Sequence, residues 1–122
     1  NYYAYFFLAD SLAITGKYED ALINYKKALD IYPFSADAVY NTGVIYYIRG
    51  EFNEAAIWLA KAVDLYPDFS GARLYLAKSF IAMGKDQKAA EQLAAAEKAS
   101  PGIILEDSSK NIKAFFEETS GF

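Results

Sequence analysis

The sequence predicts an all-α chain in which three helix-turn-helix units stack as a solenoid, and three observations lead there. Gly16, Gly50 and Gly84 are spaced by 34 residues and then by 34 again. At the same offset Ala21, Ala55 and Ala89 coincide, as do Tyr25, Leu59 and Leu93, then Ala28, Ala62 and Ala96, then Pro33, Pro67 and Pro101. Each unit also carries two apolar stripes with helical spacing, separated by a glycine and a short polar turn. A helix pair of that size cannot bury its own apolar face, so stacking has to supply the core. The 122 residues then form a single domain (1–122) with units at 2–35, 36–69 and 70–103.

The first helix of unit one opens with Tyr2, Tyr3, Tyr5, Phe6, Phe7 and Leu8. This places apolar surface around the whole cylinder, more than one packing face can use. A covering neighbour is expected there, either another copy of the chain or a further repeat. In unit two, Val39, Thr42, Gly43 and Tyr46 share a face of the first helix, while Phe52, Ala55, Ala56, Leu59, Ala62 and Val63 share a face of the second. Gly50 ends the first of these helices, with Arg49 placed to interact with the last carbonyls. Pro67 ends the second and restrains Tyr66 before it. Ser35 and Asp68 are candidate N-caps for the first helices of units two and three. Small residues recur where helices meet, Ala9, Gly43 and Ala77 in the first helices and Ala21, Ala55 and Ala89 in the second. Leu12, Tyr46 and Phe80, with Tyr25, Leu59 and Leu93, fill the space beside them. Beyond unit three the glycine and alanine offsets fail. Ile112, Phe115 and Phe116 keep helical spacing, so a capping helix is expected at about 107–119, started by Asp107 or Ser108 and followed by Gly121.

The set Leu8-Ala9, Leu12, Gly16, Tyr18, Ala21, Tyr25, Ala28 and Pro33 resembles one tetratricopeptide repeat, and the next two units resemble it too. Arg73, Thr42 and Asp86 depart from the pattern; Asp86 replaces the aromatic of Tyr18 and Phe52, which predicts the loosest packing in unit three. The resemblance implies a right-handed superhelix and a non-enzymatic, protein-binding module. It also implies that the first helices line a concave groove. Carried onto this chain, the groove takes Tyr3, Phe6, Asp10, Ala13 and Ile14 from unit one. Unit two gives Asp37, Tyr40, Asn41, Val44, Tyr47 and Ile48, and unit three gives Gly71, Leu74, Tyr75, Lys78, Ile81 and Ala82. Phe6, Tyr40 and Leu74 then form one row across the repeats, and Ala13, Tyr47 and Ile81 another. Asn41 is the orienting polar group. Lys78 offers a cation toward unit three, and Asp10 and Asp37 offer anions toward unit one, so a peptide of the opposite polarity is the expected partner.

Relatives in this family that capture the acidic tails of heat-shock chaperones use Lys, Asn, Asn, Lys and Arg at positions occupied here by Phe6, Asp10, Asn41, Gly71 and Tyr75. Only Asn41 matches, and Asp10 repels a carboxylate, so that function is rejected. The layout of three repeats and a terminal helix is also similar to bacterial secretion chaperones, which keeps a client-holding role as an alternative beside a self-assembling scaffold built on the N-terminal helix.

Composition narrows the classes further. Formal charge is −4, which disfavours nucleic acid and anionic membrane surfaces as partners. The longest apolar run, Tyr2 to Ala9, is far below the roughly 20 residues that cross a bilayer. The chain has no histidine and no cysteine. That removes the commonest general base, the thiol nucleophile and most zinc ligand sets, so neither catalytic residues nor a metal or cofactor are expected. Absence of cysteine marginally favours the cytoplasm without fixing a compartment. The chain opens on Asn1 with neither an initiator methionine nor a signal-peptide pattern, which fits a piece of a longer chain.

Overall fold

A computed structural model describes residues 1–107 as an all-helical array. Three antiparallel pairs follow one another: α1 (Tyr2–Ile14) with α2 (Tyr18–Ile31), α3 (Ala36–Ile48) with α4 (Phe52–Leu65), and α5 (Ser70–Ala82) with α6 (Asp86–Ala99). A short α7 (Ile103–Glu106) closes the described chain.

The turn inside each pair is the same piece of chemistry written three times. Gly16, Gly50 and Gly84 adopt φ of 80°, 78° and 74°. This left-handed backbone costs glycine little and other residues more. It lets Lys17, Glu51 and Lys85 return their N–H groups to the carbonyls of Leu12, Tyr46 and Phe80 at 2.8–2.9 Å, satisfying acceptors that the helix end leaves free. The opposite ends stop differently. Tyr32, Tyr66 and Ser100 are extended, as a residue before proline prefers, and each closes its helix onto the carbonyl four residues back.

The helix starts divide by chemistry. The Ser35 side chain caps α3 by accepting from Ala38 N–H at 3.1 Å. Asp68 does not cap α5: Phe69 occupies that position and supplies no side-chain bond. Arg49 does not turn to the helix-end carbonyls. Its guanidinium reaches Glu51 at 3.0 Å and Glu19 at 3.5 Å, tying the α3–α4 turn to α2.

The core follows the small-against-large pattern. Ala9 packs in one cluster with Ala21 and Tyr25, and Ala77 in another with Ala89 and Leu93. Between them lies the largest cluster, with Ala55, Leu59, Ala62 and Val63 of α4 against Ala72 and Leu76 of α5. Gly43 shows why size matters. A Cβ there would stand 2.7 Å from Leu59 Cγ, a distance real carbons do not reach, so α3 and α4 are as close as a hydrogen side chain permits. The buried hydroxyls of Thr42 and Ser79 donate to the carbonyls of Ala38 and Tyr75 in their own helices, so neither is left unsatisfied.

Two details of unit three depart from expectation. α5 and α6 pack about as extensively as the other pairs, although Asp86 is exposed; the slack seam lies instead between α2 and α3, which meet less fully than α4 and α5. Hollows of about 330 and 400 Å³ open beside that seam, around Leu29 and Trp58 on the outer side. Arg73, the family's usual apolar position, earns its place through polar contacts. Its Nε donates to Pro67 O at 2.8 Å and its Nη1 to Gln92 Oε1 at 3.0 Å, stapling α5 to the preceding loop and to α6. The expected capping helix lies, except for Asp107, outside the described residues.

Ala55 has no exposed surface. Adding methylenes at such a site costs about 1–3 kcal/mol. Ala55→Leu is expected to lower the melting temperature by several degrees in a circular-dichroism melt. An unchanged melt would contradict the packing just described.

Candidate functional site

A cleft of about 330 Å³ opens between α1 and α3. Asp10, Ala13 and Ile14 line it from α1, and Tyr40, Asn41, Val44, Ile45 and Ile48 from α3, with Tyr18 and Tyr25 of α2 at its floor. Helical spacing explains the selection. Positions 10, 13 and 14 share one face of α1, and 40, 41, 44 and 48 share one face of α3.

One buried tyrosine organises the polar end of this cleft. The Tyr25 ring packs at the position that Leu59 and Leu93 fill in the other units, and it is almost wholly buried. A buried phenol needs a partner. Its hydroxyl donates to Asp10 Oδ1, and Asn41 Nδ2 donates to the same oxygen at 3.1 Å. Three helices thus meet at one carboxylate. Burial, followed by the bond to Asp10, pushes the Tyr25 hydroxyl well above the usual tyrosine range, so it stays a donor at any working pH. Among the described residues no Lys or Arg lines the cleft.

Beside the cleft runs a chain of aromatic rings. Tyr40 packs on Phe69 with centroids 4.6 Å apart and meets Tyr75 at 6.0 Å; Tyr75 meets Tyr47 at 5.4 Å, and Tyr47 meets Phe52 at 5.6 Å. Gly71 leaves room for the Tyr40 hydroxyl, which lies 3.4 Å from where a Cβ would stand. Burial pushes the Tyr40 hydroxyl up to about 12, with Tyr75 adding to the effect.

The groove residues expected from the sequence fall into three groups. Asp10, Tyr40, Asn41 and Val44 come together in the cleft, with Ala13, Ile14 and Ile48. Tyr47, Tyr75 and Gly71 belong to the aromatic chain or border it. The remainder lie elsewhere. Tyr3 is 65% exposed and stacks on Phe7, while Asp37 is exposed in the first turn of α3. Phe6 is half-buried against Tyr25 at 5.9 Å, and Ile81 is half-buried against the α5–α6 core.

Two expectations need correction on physical grounds. Leu74 is buried at 8% exposure in one cluster with Ile104 of α7, so the row of Phe6, Tyr40 and Leu74 loses its last member to the core. Lys78 is not a free cation. Its Nζ lies 2.9 Å from Asp107 Oδ1 and 4.7 Å from the Tyr75 ring centre, with both charged side chains largely buried. The cation toward unit three is therefore already matched, and the peptide polarity expected from it loses one of its poles. Sequence reasoning missed Tyr18, the Asp10–Tyr25–Asn41 junction and α7. The signal for the junction was present: a tyrosine at a buried position where the other repeats carry leucine must send its hydroxyl somewhere.

Among the described residues no group of three or more His, Cys, Asp or Glu converges as a metal site, and no helix is long and apolar enough to cross a membrane.

With this architecture in view, the chain belongs to the tetratricopeptide repeat family: models of that repeat match residues 8–69 and 72–102. No curated protein matches it. Solved structures do. The first tetratricopeptide domain of Spaghetti (RPAP3), bound to the HSP90 peptide SRMEEVD, is similar with a TM-score of 0.84 at 18% identity, over 98% of this chain and 90% of that one. The Yersinia enterocolitica type III secretion chaperone SycD, in complex with a peptide of the translocator YopD, gives 0.84 at 15% identity, over 96% and 90%. The Sgt2 tetratricopeptide domain from Aspergillus fumigatus gives 0.80 at 21%, over 98% and 77%. At such identities the likeness is one of fold.

Because the folded protein holds the Tyr40 proton to about pH 12 while an unfolded tyrosine releases it near 10, the folded state binds the extra proton between those values. Stability from this group is therefore full below pH 10 and lost as pH rises through 12. Alkaline ultraviolet titration is expected to show a late tyrosine step that shrinks in Tyr40→Phe. Base-induced unfolding between pH 10 and 12 should flatten in the same variant.

Proposed function

We propose that this protein is a non-enzymatic protein-interaction module whose concave cleft takes an extended segment of a partner protein, with apolar side chains flanking a basic group. The observation that carries this reading is a single carboxylate, Asp10, held by two donors at one end of a mainly apolar and aromatic cleft that, among the described residues, no Lys or Arg lines. A carboxylate fixed in this way costs little further ordering when it accepts from a guanidinium, an ammonium or a backbone N–H, and charge-assisted bonds are the stronger ones. The surrounding Ala13, Ile14, Val44 and Ile48 supply apolar contact. Tyr40 and Tyr47 offer large area with few torsions to freeze.

Two neighbours of this fold are solved with peptides, which supports peptide capture as the use of the concave face. The HSP90 peptide SRMEEVD is acidic, whereas this cleft presents the carboxylate of Asp10, and Lys78, outside its lining, is already paired with Asp107. Like charge counts against an acidic tail here and for a basic segment. Asn41 keeps its carbonyl oxygen for the peptide backbone, since its amide nitrogen is given to Asp10.

Fluorescence anisotropy with matched peptides tests the reading. A peptide carrying Arg between Leu or Phe anchors is expected to bind roughly tenfold more tightly than its Glu counterpart, a difference of about 1.4 kcal/mol. Asp10→Asn, which still accepts from Tyr25, should erase that preference and keep the helical signal. Tyr47→Ala should cost about 2 kcal/mol of binding if its ring is an anchor. Retained binding in both variants, with loss in Lys27→Ala or Lys61→Ala on the outer face, would place the partner on the convex side and refute the proposal.

A further inference from the structure

The Asp10 carboxylate meets both of its donors with one oxygen, and that decides which basic side chain it can take. Oδ1 accepts from the Tyr25 hydroxyl and from Asn41 Nδ2, which fills both lone-pair directions of that atom. Oδ2 is spare. Among the described residues it accepts no hydrogen bond, and unlike Asp107 Oδ2 it is not shut away from solvent. The Asn41 carbonyl oxygen is in the same position, since the amide nitrogen is spent on Asp10 while the oxygen stays open. Two open acceptors thus belong to side chains joined by a single hydrogen bond. The other polar groups in the lining are phenols. Tyr25 spends its proton on Asp10, and the Tyr40 hydroxyl stands toward Gly71 of α5.

We infer that the basic group this cleft takes is the ε-ammonium of a lysine rather than the guanidinium of an arginine, a specificity that rests on the peptide-binding reading above. Arginine's advantage at a carboxylate is its fork, two parallel N–H bonds that need both oxygens at once. Tyr25 and Asn41 deny it one of them. A guanidinium left with Oδ2 carries further N–H groups into a cleft walled by Ala13, Val44, Ile45 and Ile48, and buried donors without partners are costly. An ammonium asks for less. Its three donors turn about the last bond of the side chain, so one can go to Asp10 Oδ2, another to the Asn41 oxygen and the third to water. The four-carbon stem lies along the same aliphatic wall as an apolar body. Acetylation removes the charge that Asp10 attracts, so the cleft also separates modified from unmodified lysine.

Four otherwise identical peptides, with Lys, Arg, acetyl-lysine or Glu between two Leu anchors, test this by fluorescence anisotropy on the 122-residue chain. The Lys peptide is expected to bind about tenfold more tightly than the Arg peptide, the effect of one buried donor left unpaired, and acetyl-lysine should lose the advantage. Tyr25→Phe keeps the ring and removes the hydroxyl, which returns one acceptor direction of Oδ1 to the ligand. In that variant the ratio of Lys to Arg affinity should fall toward one. Asn41→Ala frees the same oxygen from the other side and should lower the ratio too, so the result does not hang on the folding of one variant. Equal binding of all four peptides refutes the basic-segment reading and the inference with it. Lys and Arg both ahead of Glu, with Arg equal or foremost, leaves that reading standing and overturns the choice of lysine. A preference for Lys that survives both variants overturns it as well, because its source would not be the filled Oδ1.

Discussion

Everything in this molecule depends on how a small residue of each first helix meets a large residue of the second. Ala9, Gly43 and Ala77 share their clusters or their closest approach with Tyr25, Leu59 and Leu93. Close approach of the backbones sets the helix pair, and the pair sets the faces left for stacking. Unit one uses tyrosine where the other units use leucine, and that one substitution joins the fold to the site. The ring fills the core, and its hydroxyl extends to the cleft between α1 and α3 to hold Asp10. A residue selected by packing in one direction thereby creates a polar fixture in the other.

The architecture was legible in the sequence because a solenoid writes its contacts at constant offset. The glycine turns, the proline stops and the buried alanines all recur at a spacing of 34, so local and tertiary signals agree. Ser35 reads correctly as a cap because a hydroxyl before a helix has one dominant use. Asp68 does not, because the helix starts one residue later than such a cap requires. The candidate site was legible as a face and illegible as a set of partners. Groove offsets place Tyr40, Asn41 and Val44 on one side of α3, but no offset says that Asn41 spends its amide on Asp10, or that Lys78 pairs with a residue 29 positions away. Those bonds join positions that the repeat does not relate, so periodicity carries no information on them. Leu74 was misplaced for the same reason: α7, which packs Ile104 into its cluster, belongs to no repeat.

The distribution of charge follows from these unshared contacts. The cleft presents one fixed anion, Asp10, while Lys78, outside its lining, is already neutralised by Asp107.

The most direct test is to make unit one like its neighbours with Tyr25→Leu and to measure folding and peptide affinity together. Leucine fills this position in units two and three, so the account predicts a cooperative melt and helical signal close to the parent, with the preference for a basic over an acidic peptide sharply reduced as Asp10 loses its fixture. A variant that keeps both its fold and its full charge preference would contradict the claim that the Tyr25 hydroxyl connects core to site.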